Sequence, residues 1–319
     1  MRIAVFGAGG VGGYFGGRLA QAGEDVVFIA RGDHLKALRS EGLQVDSTAG
    51  DFRIAPVEAT DDPAEVGPVD VVLVAVKAWQ VPEAGRAMAP LLRDGTAVVP
   101  LENGIEAPSQ LTEIVGAEHV LGGLCAIISF ISGPGHITHA GYEPTVTFGE
   151  FDNRPSRRAE ELRAAFERAG VNATIPEDIA AAMWRKFLFI SGFSGVAAVV
   201  GLPVGGFRSI GPARRLLLGC FEETAAVARA AGIALPPDTV SGAIGTIDAL
   251  PEDGTASMQR DLMEGRPSEL DAQTGAVCRA GRTHGVPTPA NDFVYAALLP
   301  RETEARARAG LPAPHGLPA

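Results

Sequence analysis

Residues 2–12, with the sequence RIAVFGAGGVG, place an apolar strand directly before a Gly-x-Gly-x-x-Gly turn and a predicted helix. In such a turn Gly7 allows the tight change of direction, Gly9 lets the backbone approach a pyrophosphate, and Gly12 lets the helix pack close to the strand. The pyrophosphate then lies at the helix N-terminus, where free N–H groups and the helix dipole attract anions. The stretch predicts a dinucleotide site formed by Gly7, Ala8, Gly9, Gly10, Val11 and Gly12.

The length and composition of the chain indicate a soluble globular protein of about two domains, since it has 319 residues, 46% of them hydrophobic and 20% charged. Glycines or charges interrupt every apolar run within about 18 residues, which predicts no membrane-spanning segment. The N-terminus lacks the apolar core of a signal peptide, and we expect a cytoplasmic protein. A net charge of −11 disfavours binding to nucleic acids and to anionic membranes.

The cysteines and two of the histidines predict neither a disulfide framework nor a metal site. Cys125, Cys220 and Cys278 are widely spaced and are interpreted as buried thiols in a reducing compartment. His136 and His139 are expected on an exposed hairpin, and no acidic or cysteine partner accompanies them at a metal-ligand spacing.

The helix after the turn contains four glycines, each of which costs up to about 1 kcal/mol relative to alanine in a helix interior. They form two i,i+4 pairs, Gly12 with Gly16 and Gly13 with Gly17. Such pairs make a flat strip on the helix, and we expect this strip to pack closely against a sheet or a cofactor.

The residue after the second predicted strand, residues 26–30, is Arg31. An NAD site normally has Asp or Glu here for the ribose 2′-hydroxyl, whereas an arginine accommodates the 2′-phosphate of NADP. Glu24 and Asp25 precede the strand and lie at its other end. Arg31 therefore predicts NADPH as the cofactor, and the alternative is a solvated loop residue.

Polar residues also follow two later predicted strands, residues 69–76 and 96–101. Ligands of open α/β sheets bind beyond the carboxyl ends of the strands, so Lys77 is placed to face the cofactor and Asn103 to join the same rim. The alternatives are a snorkelling surface lysine and a simple Asn-Gly turn.

The remaining pattern divides the chain into an N-terminal Rossmann-type α/β domain, residues 1–175, an all-helical domain, residues 176–310, and a flexible tail, residues 311–319. In the first domain we expect a hairpin at 43–54 and a strand at 120–128. Two antiparallel strands at 136–139 and 145–149, separated by residues 141–144, a charged helix at 156–169 and an edge strand at 171–175 follow. In the second domain, helices are predicted at 178–194, 212–231, 239–250, 257–264, 268–284 and 291–309.

A lysine interrupts the apolar stripe of the first predicted helix of the second domain. Lys186 shares a helical face with Met183, Phe187, Ile190 and Phe193. It either snorkels outward or is partly desolvated and able to donate a proton near neutral pH. Farther along, Ser268 and Asp271 fit an N-cap and its capping-box partner, which would make Glu269 an ordinary first-turn acid.

Taken together, these features resemble the ketopantoate reductases, also called 2-dehydropantoate 2-reductases, over nearly the whole chain. The resemblance rests on an ordered set of residues and motifs: the glycine turn, Arg31, Lys77, Glu102-Asn103-Gly104, Trp184-Arg185-Lys186-Phe187, Ala256-Ser257-Met258, Asp261 and Ser268-Glu269-Leu270-Asp271.

The resemblance implies a Rossmann domain followed by a helical domain, with NADPH and substrate in the cleft between them. It implies that Lys186 is the general acid and that Glu269 binds substrate and positions the lysine. It further implies that Asn103 contacts both cofactor and substrate and that Ser257 binds substrate, while Arg31 and Lys77 match cofactor-binding positions. The implied reaction is reduction of a 2-oxo acid, ketopantoate to pantoate, in the biosynthesis of pantothenate and coenzyme A.

The chain departs from the family pattern at two substrate-lining positions. Many members have asparagines four and eight residues after the catalytic lysine, whereas this chain has Ile190 and Ser194. Loss of an amide that bonds a substrate hydroxyl costs about 1–3 kcal/mol. We therefore expect the substrate to be ketopantoate or another branched 2-oxo acid.

Two other functions remain open. One is a related NADP-dependent 2-oxo or 3-hydroxy acid dehydrogenase, and the other is a non-catalytic NADP(H)-sensing protein. A sensor would need Arg31 and the glycines but neither Lys186 nor Glu269, so their presence favours an enzyme. The predicted helices at 212–231 and 268–284 offer a surface for a homodimer.

Overall fold

The computed structural model describes residues 1–315 and divides the chain into two compact units. The N-terminal unit consists of Met1–Glu102 and Ala107–Ile179, and the C-terminal unit consists of Asn103–Glu106 and the residues from Ala180 onward. The division lies close to the predicted boundary after residue 175. It adds one feature that the sequence did not indicate, because the short segment Asn103–Glu106 belongs to the C-terminal unit.

The N-terminal unit contains two sheets built from ten strands. The strands, numbered along the chain, are β1 (Arg2–Phe6), β2 (Asp25–Ile29), β3 (Leu43–Ser47), β4 (Phe52–Ile54), β5 (Glu58–Thr60), β6 (Val71–Val74), β7 (Ala97–Pro100), β8 (Gly122–Gly133), β9 (His136–Gly149) and β10 (Asn172–Thr174). The first sheet has the order β5-β2-β1-β6-β7, and all four pairings are parallel. Strands β1, β6 and β7 are almost wholly buried, as expected for a parallel sheet that is covered on both faces.

Helix α1 (Gly10–Gln21) packs between the two sheets, and its glycines make this possible. A Cβ atom on Gly16 would lie 2.7 Å from Phe28 of the first sheet, and one on Gly13 would lie 2.8 Å from Ile137 of the second. The expected glycine strip therefore exists, and it packs against sheet side chains. The side chain of Phe15, on the same helix, is fully buried in the core.

The second sheet has the order β10-β9-β3-β4, with β8 paired to β9. The predicted hairpin at 43–54 is confirmed as β3 and β4, which pair antiparallel. The prediction of two separate strands at 136–139 and 145–149 was wrong, because β9 runs without interruption from His136 to Gly149. The register with β8 passes from Ala126↔Thr145 to Ile128↔Ala140, so residues 141–144 form a bulge in a continuing strand.

Four helices complete the N-terminal unit: α2 (Gly32–Glu41), α3 (Val81–Ala87), α4 (Ala107–Val115) and α5 (Arg157–Arg168). Helix α5 is the predicted charged helix, and the Ser156 side chain caps it by accepting a hydrogen bond from the Ala159 N–H. Its buried face contributes Leu162 and Phe166 to the core.

The C-terminal unit is helical, as predicted. Its helices are α6 (Ile179–Val200), α7 (Gly211–Ala230), α8 (Thr239–Ala249), α9 (Ser257–Met263), α10 (Ala276–His284) and α11 (Pro289–Arg308). The unit has its own hydrophobic core, in which Phe187 and Leu188 of α6 pack with Phe221 of α7 and Tyr295 of α11. Helix α6 begins at the last residue of the N-terminal unit.

Two expectations for this part of the chain need correction. The predicted helix at 268–284 becomes helical only at Asp271–Gly275, which is a π-helical turn that leads into α10. Helix α6 is long and apolar enough to cross a membrane by length and composition, contrary to the prediction of no such run, because two charges and two glycines hardly lower the mean hydropathy of a 22-residue helix. Its most apolar window is 67% buried within the protein, which is typical of a core helix.

The predicted flexible tail is attached to the C-terminal unit through its described part. The Tyr295 hydroxyl donates to the His315 carbonyl oxygen at 2.8 Å, and His315 Nδ1 lies 2.8 Å from Asp271 Oδ2. Residues 316–319 of that tail lie outside the described residues.

Candidate active site

The three glycines of the turn differ in what surrounds them, as the sequence predicted. Gly7 has a φ of +101°, and a Cβ there would lie 2.7 Å from the Ala75 carbonyl oxygen. A Cβ on Gly12 would lie 2.0 Å from the Gly7 carbonyl oxygen. In contrast, a Cβ on Gly9 would meet no heavy atom within 4 Å. Gly9 therefore faces open space, which is what a dinucleotide pyrophosphate requires at this turn.

The N-terminus of α1 supplies donors for such an anion. Gly9 is the N-cap residue, and the first N–H groups of a helix have no acceptor within the helix. The first turn contains no acidic side chain that would repel a phosphate. The residues of the turn thus fit a dinucleotide.

Two basic residues follow the strands that flank β1 in the first sheet, β2 and β6. Arg31 comes after β2 and is the N-cap residue of α2, and its Nη2 atom lies 2.9 Å from Glu83 Oε1 of α3. Lys77 comes shortly after β6, and its Nζ atom lies 5.9 Å from the centre of the Trp79 ring. Both side chains are exposed at the carboxyl ends of parallel strands, where ligands of such sheets bind.

The structure also reveals a half-buried histidine beside the glycine turn that sequence reasoning missed. His34 lies in the first turn of α2, and its Nδ1 atom accepts a hydrogen bond from the Gly135 N–H at 3.1 Å. Burial lowers the pKa of His34, and the Ala8 backbone opposes this shift in part. The imidazole therefore connects α2 with the turn between β8 and β9. In the sequence, only its position three residues after Arg31 indicates that His34 lies near the glycine turn.

In the C-terminal unit, Lys186 lies on α6 between side chains that belong to the core. Trp184 and Phe187 are buried, whereas Lys186 is only half-buried. Within residues 1–315 the Lys186 side chain makes no hydrogen bond or ion pair. Its ammonium group is therefore available to a ligand.

Two predicted site residues that lie far apart in the sequence meet in the C-terminal unit. The Asn103 Nδ2 atom donates to Glu269 Oε2 at 3.3 Å across a separation of 166 residues. Glu269 is 6% exposed, and Asn103 is half-buried. This contact explains why Asn103–Glu106 belongs to the C-terminal unit, since Ile105 also packs against the core of that unit.

The predicted capping box at Ser268 and Asp271 was wrong. The Ser268 N–H and hydroxyl both donate to the buried carboxylate of Glu302, at 2.9 and 2.5 Å, and Glu302 also pairs with Arg306 at 2.5 Å. Asp271 instead accepts a hydrogen bond from Arg279 at 2.9 Å. The Ser268 hydroxyl oxygen keeps one local contact, since it accepts a hydrogen bond from the Leu270 N–H at 3.3 Å, but long-range partners take the place of the predicted pairing between Ser268 and Asp271.

These contacts also set the charge state of Asp271. Burial alone would raise the pKa of this carboxyl group, but the hydrogen bond to His315 and the charge of Arg279 lower it overall. The carboxylate stays ionised and anchors the π-helical turn that follows Glu269.

The three other predicted substrate-binding residues have different surroundings. Ser257 is half-buried at the first position of α9, and Ile190 is half-buried on α6 one turn after Lys186. Ser194 is 0% exposed, so its hydroxyl is not accessible to a ligand in this structure. An apolar side chain and a buried hydroxyl thus replace the two amides that are common in the family.

The histidines of β9 contact neighbouring strands. His136 Nε2 lies 2.8 Å from Asp46, and His139 Nδ1 lies 2.8 Å from the Ser47 hydroxyl. His139 is 2% exposed, so the expectation that both histidines are exposed was wrong. Among residues 1–315 there is no group of three or more His, Cys, Asp and Glu side chains suited to a metal ion. The three cysteines are free and buried, as predicted.

Comparison with known proteins gives the same family as the ordered motifs. The family model described as ketopantoate reductase PanE/ApbA matches residues 3–153, and the model of its C-terminal domain matches residues 178–302. The chain belongs to the ketopantoate reductase family. It is therefore an oxidoreductase with a nicotinamide dinucleotide as its cofactor.

Individual relatives extend over nearly the whole chain. An uncharacterized oxidoreductase, YkpB, of Bacillus subtilis is 30% identical over 304 residues, which cover 95% of this chain and 100% of the relative. A 2-dehydropantoate 2-reductase of Mesorhizobium japonicum is 31% identical, with 93% of this chain and 96% of the relative covered.

Solved structures confirm the α/β fold with its helical C-terminal region. The crystal structure of 2-dehydropantoate 2-reductase from Geobacter metallireducens superposes with a TM-score of 0.87 at 33% identity, covering 93% of this chain and 99% of that one. A D-mandelate dehydrogenase in a ternary structure with NADH and anilino(oxo)acetate superposes with a TM-score of 0.86 at 25% identity, covering 95% of this chain and 98% of that one. Solved structures with this fold thus include a 2-dehydropantoate 2-reductase and a D-mandelate dehydrogenase that binds NADH.

Proposed function

We propose that this reductase uses NADPH to reduce the C2 carbonyl group of a branched 2-oxo acid, with ketopantoate as the first candidate and pantoate as its product. The observation that carries the proposal is the hydrogen bond between Asn103 and Glu269 in the C-terminal unit. Two positions that the family resemblance assigns to the substrate site are thereby brought together. The names of the relatives support the same reaction.

The reduced nicotinamide, when bound, supplies a hydride to the C2 carbon. Negative charge then develops on the carbonyl oxygen, and the Lys186 ammonium group donates a proton to it, which yields the 2-hydroxy acid. The neutral amine afterwards regains a proton from water. Lys186 suits this role because it is half-buried and makes no ion pair within residues 1–315 that would compete with the substrate.

Asn103 and Glu269 are proposed to orient the substrate. The Asn103 amide donates one N–H to the Glu269 carboxylate and keeps a second N–H and its carbonyl oxygen for a ligand. Ser257 is proposed to bind the substrate through its hydroxyl group, which lies half-buried at the start of α9. In a protein with a net charge of −11, a cationic acid also offsets the charge of the substrate carboxylate.

NADPH is proposed as the cofactor because Arg31 follows β2, where an arginine accommodates the 2′-phosphate. Lys77 follows β6, which lies on the other side of β1, and is proposed to bind the cofactor phosphates or ribose. The structure of D-mandelate dehydrogenase with NADH favours testing NADH as well.

A second candidate is a related 2-hydroxy acid dehydrogenase with a more apolar substrate. Ile190 presents an aliphatic side chain one turn after Lys186, and the superposable D-mandelate dehydrogenase acts in the same reaction class. An aromatic 2-oxo acid therefore belongs in the substrate panel.

The experiment follows NADPH oxidation by absorbance with ketopantoate, an aliphatic 2-oxo acid without a hydroxyl group, and phenylglyoxylate. We expect reduction of at least one of these, and a decrease in kcat of about 10²- to 10⁴-fold in Lys186→Ala, the usual contribution of a general acid. Arg185→Ala, which removes an exposed cation from the same helix, is the matched control and should retain activity. Failure of all three substrates, or equal turnover by wild type and Lys186→Ala, contradicts the proposal.

A further inference from the structure

Arg31 has an acidic partner from another element of the N-terminal unit. Glu83 lies in the first turn of α3, 52 residues farther along the chain, and its Oε1 atom is 2.9 Å from Arg31 Nη2. The two side chains are 61% and 58% exposed. A ligand can therefore reach both charges.

The chemistry at this position distinguishes the two nicotinamide cofactors. In an NAD site, a carboxylate beyond the second strand accepts hydrogen bonds from the adenosine ribose hydroxyls, whereas in an NADP site an arginine pairs with the 2′-phosphate. This chain provides the arginine from the end of β2 and the carboxylate from α3. Both kinds of recognition group therefore occur together.

The ion pair between Arg31 and Glu83 is weak enough that either side chain can interact with a bound cofactor. An exposed ion pair adds little to folding stability, so a bound ligand replaces it at small cost. A 2′-phosphate carries more negative charge than a carboxylate and competes well for Arg31. Because Glu83 Oε1 lies 2.9 Å from Arg31 Nη2, a 2′-phosphate bound to Arg31 would also be repelled by the charge of Glu83, and this repulsion is only partly screened at physiological salt.

With NADH the same carboxylate has the opposite effect. No phosphate is present to be repelled, and a ribose hydroxyl can donate a hydrogen bond to Glu83 while Arg31 offsets the carboxylate charge. We propose that Glu83 is a specificity-determining residue that weakens the binding of NADPH and supports the binding of NADH. This inference rests on the proposed function only in placing the adenosine ribose near Arg31.

The test measures dinucleotide binding to the full chain by calorimetric titration, without any 2-oxo acid. Glu83→Gln keeps the size of the side chain and removes its charge. We expect it to tighten NADPH binding by about 3- to 30-fold, with a smaller gain at 0.5 M salt, and to leave NADH binding equal or weaker. An unchanged ratio of the two dissociation constants, or an equal gain for both cofactors, overturns the proposal.

Asp25→Asn is the matched control for overall charge. Asp25 is an exposed acid paired with Arg2 at 3.0 Å, and it begins the strand that Arg31 follows. Strand β2 alone places about 13 Å between Asp25 and the residues that lead to Arg31, which exceeds the Debye length of about 8 Å at physiological salt. We expect less than a two-fold change in the ratio of the NADPH and NADH dissociation constants. A change as large as that caused by Glu83→Gln would show that overall charge, and not the position of Glu83, determines this ratio, and it would overturn the proposal.

Arg31→Ala separates this inference from the proposed cofactor. If Arg31→Ala weakens NADPH binding while Glu83→Gln leaves the ratio unchanged, the NADPH proposal stands and the role of Glu83 is overturned. If Arg31→Ala leaves NADPH binding unchanged, Arg31 does not bind the 2′-phosphate. That result overturns both the recognition of NADPH by Arg31 and the role of Glu83. Because binding is measured without turnover, a failure to reduce any 2-oxo acid does not affect the result.

Discussion

At the scale of single residues, the glycine turn combines one position that faces open space with two that serve the fold. Gly7 and Gly12 have no room for a side chain, since a Cβ on either would collide with backbone oxygen atoms. Gly9 has room and an ordinary φ of −73°, so an alanine there is compatible with the folded chain. Packing therefore does not require a glycine at position 9, which fits the proposed pyrophosphate site.

This difference predicts opposite effects of two alanine substitutions. Gly12→Ala should lower the free energy of unfolding by about 1–3 kcal/mol, because its Cβ would lie 2.0 Å from the Gly7 carbonyl oxygen. Gly9→Ala should change stability by less than about 0.5 kcal/mol. It should nevertheless weaken NADPH binding by at least about ten-fold, since the methyl group takes up space needed by the pyrophosphate. Urea unfolding and cofactor titration measure the two effects, and wild-type binding by Gly9→Ala would contradict the assignment.

At the scale of elements, the segment that contains Glu269 is held by helix α11 rather than by a local cap. Glu302 is 0% exposed and accepts hydrogen bonds from the Ser268 N–H and hydroxyl, while Arg306, one turn later, lies against the same carboxylate. The buried ion pair thereby fixes the backbone immediately before Glu269. Removing one charge from such a pair is costly because the other charge stays buried.

Glu302→Gln is therefore expected to lower the free energy of unfolding by about 3–5 kcal/mol. Glu304→Gln on the same helix is the matched control, since Glu304 pairs with Arg308 and the two side chains are 66% and 64% exposed. That substitution should cost less than about 1 kcal/mol. Chemical denaturation distinguishes the two, and equal stability of the variants would show that the buried pair does not hold this segment.

The sequence predicted the elements whose evidence is local. The apolar runs gave β1, β6 and β7, and the glycine spacing gave the turn and the close packing of α1. It missed features that depend on distant partners. The capping box at Ser268 followed a local rule, but the actual partner, Glu302, lies 34 residues away. The bulge at residues 141–144 looked like a turn because Gly141 and Pro144 are typical turn residues, and only pairing with β8 and β3 keeps β9 continuous.

At the scale of the whole molecule, the predicted site residues are divided between two units that have separate cores. The glycine turn, Arg31 and Lys77 belong to the N-terminal unit, whereas Asn103, Lys186, Ser257 and Glu269 belong to the C-terminal unit. The groups proposed to bind the cofactor are therefore held in place by the core of the N-terminal unit, and the group proposed to donate the proton by the core of the C-terminal unit. Cofactor binding and proton donation should be separable by substitution.

This separation predicts that Lys186→Ala keeps the stabilisation that NADPH confers. A ligand at 100 times its dissociation constant stabilises the folded state by about 2.7 kcal/mol, which appears as a higher unfolding temperature. We expect wild type and Lys186→Ala to show the same rise with NADPH, although the variant has lost most of its reductase activity. Loss of the rise in Lys186→Ala would mean that the lysine supports cofactor binding. A normal rise together with undiminished turnover would show that Lys186 is not the general acid, because removal of the group that donates the proton must slow the reaction.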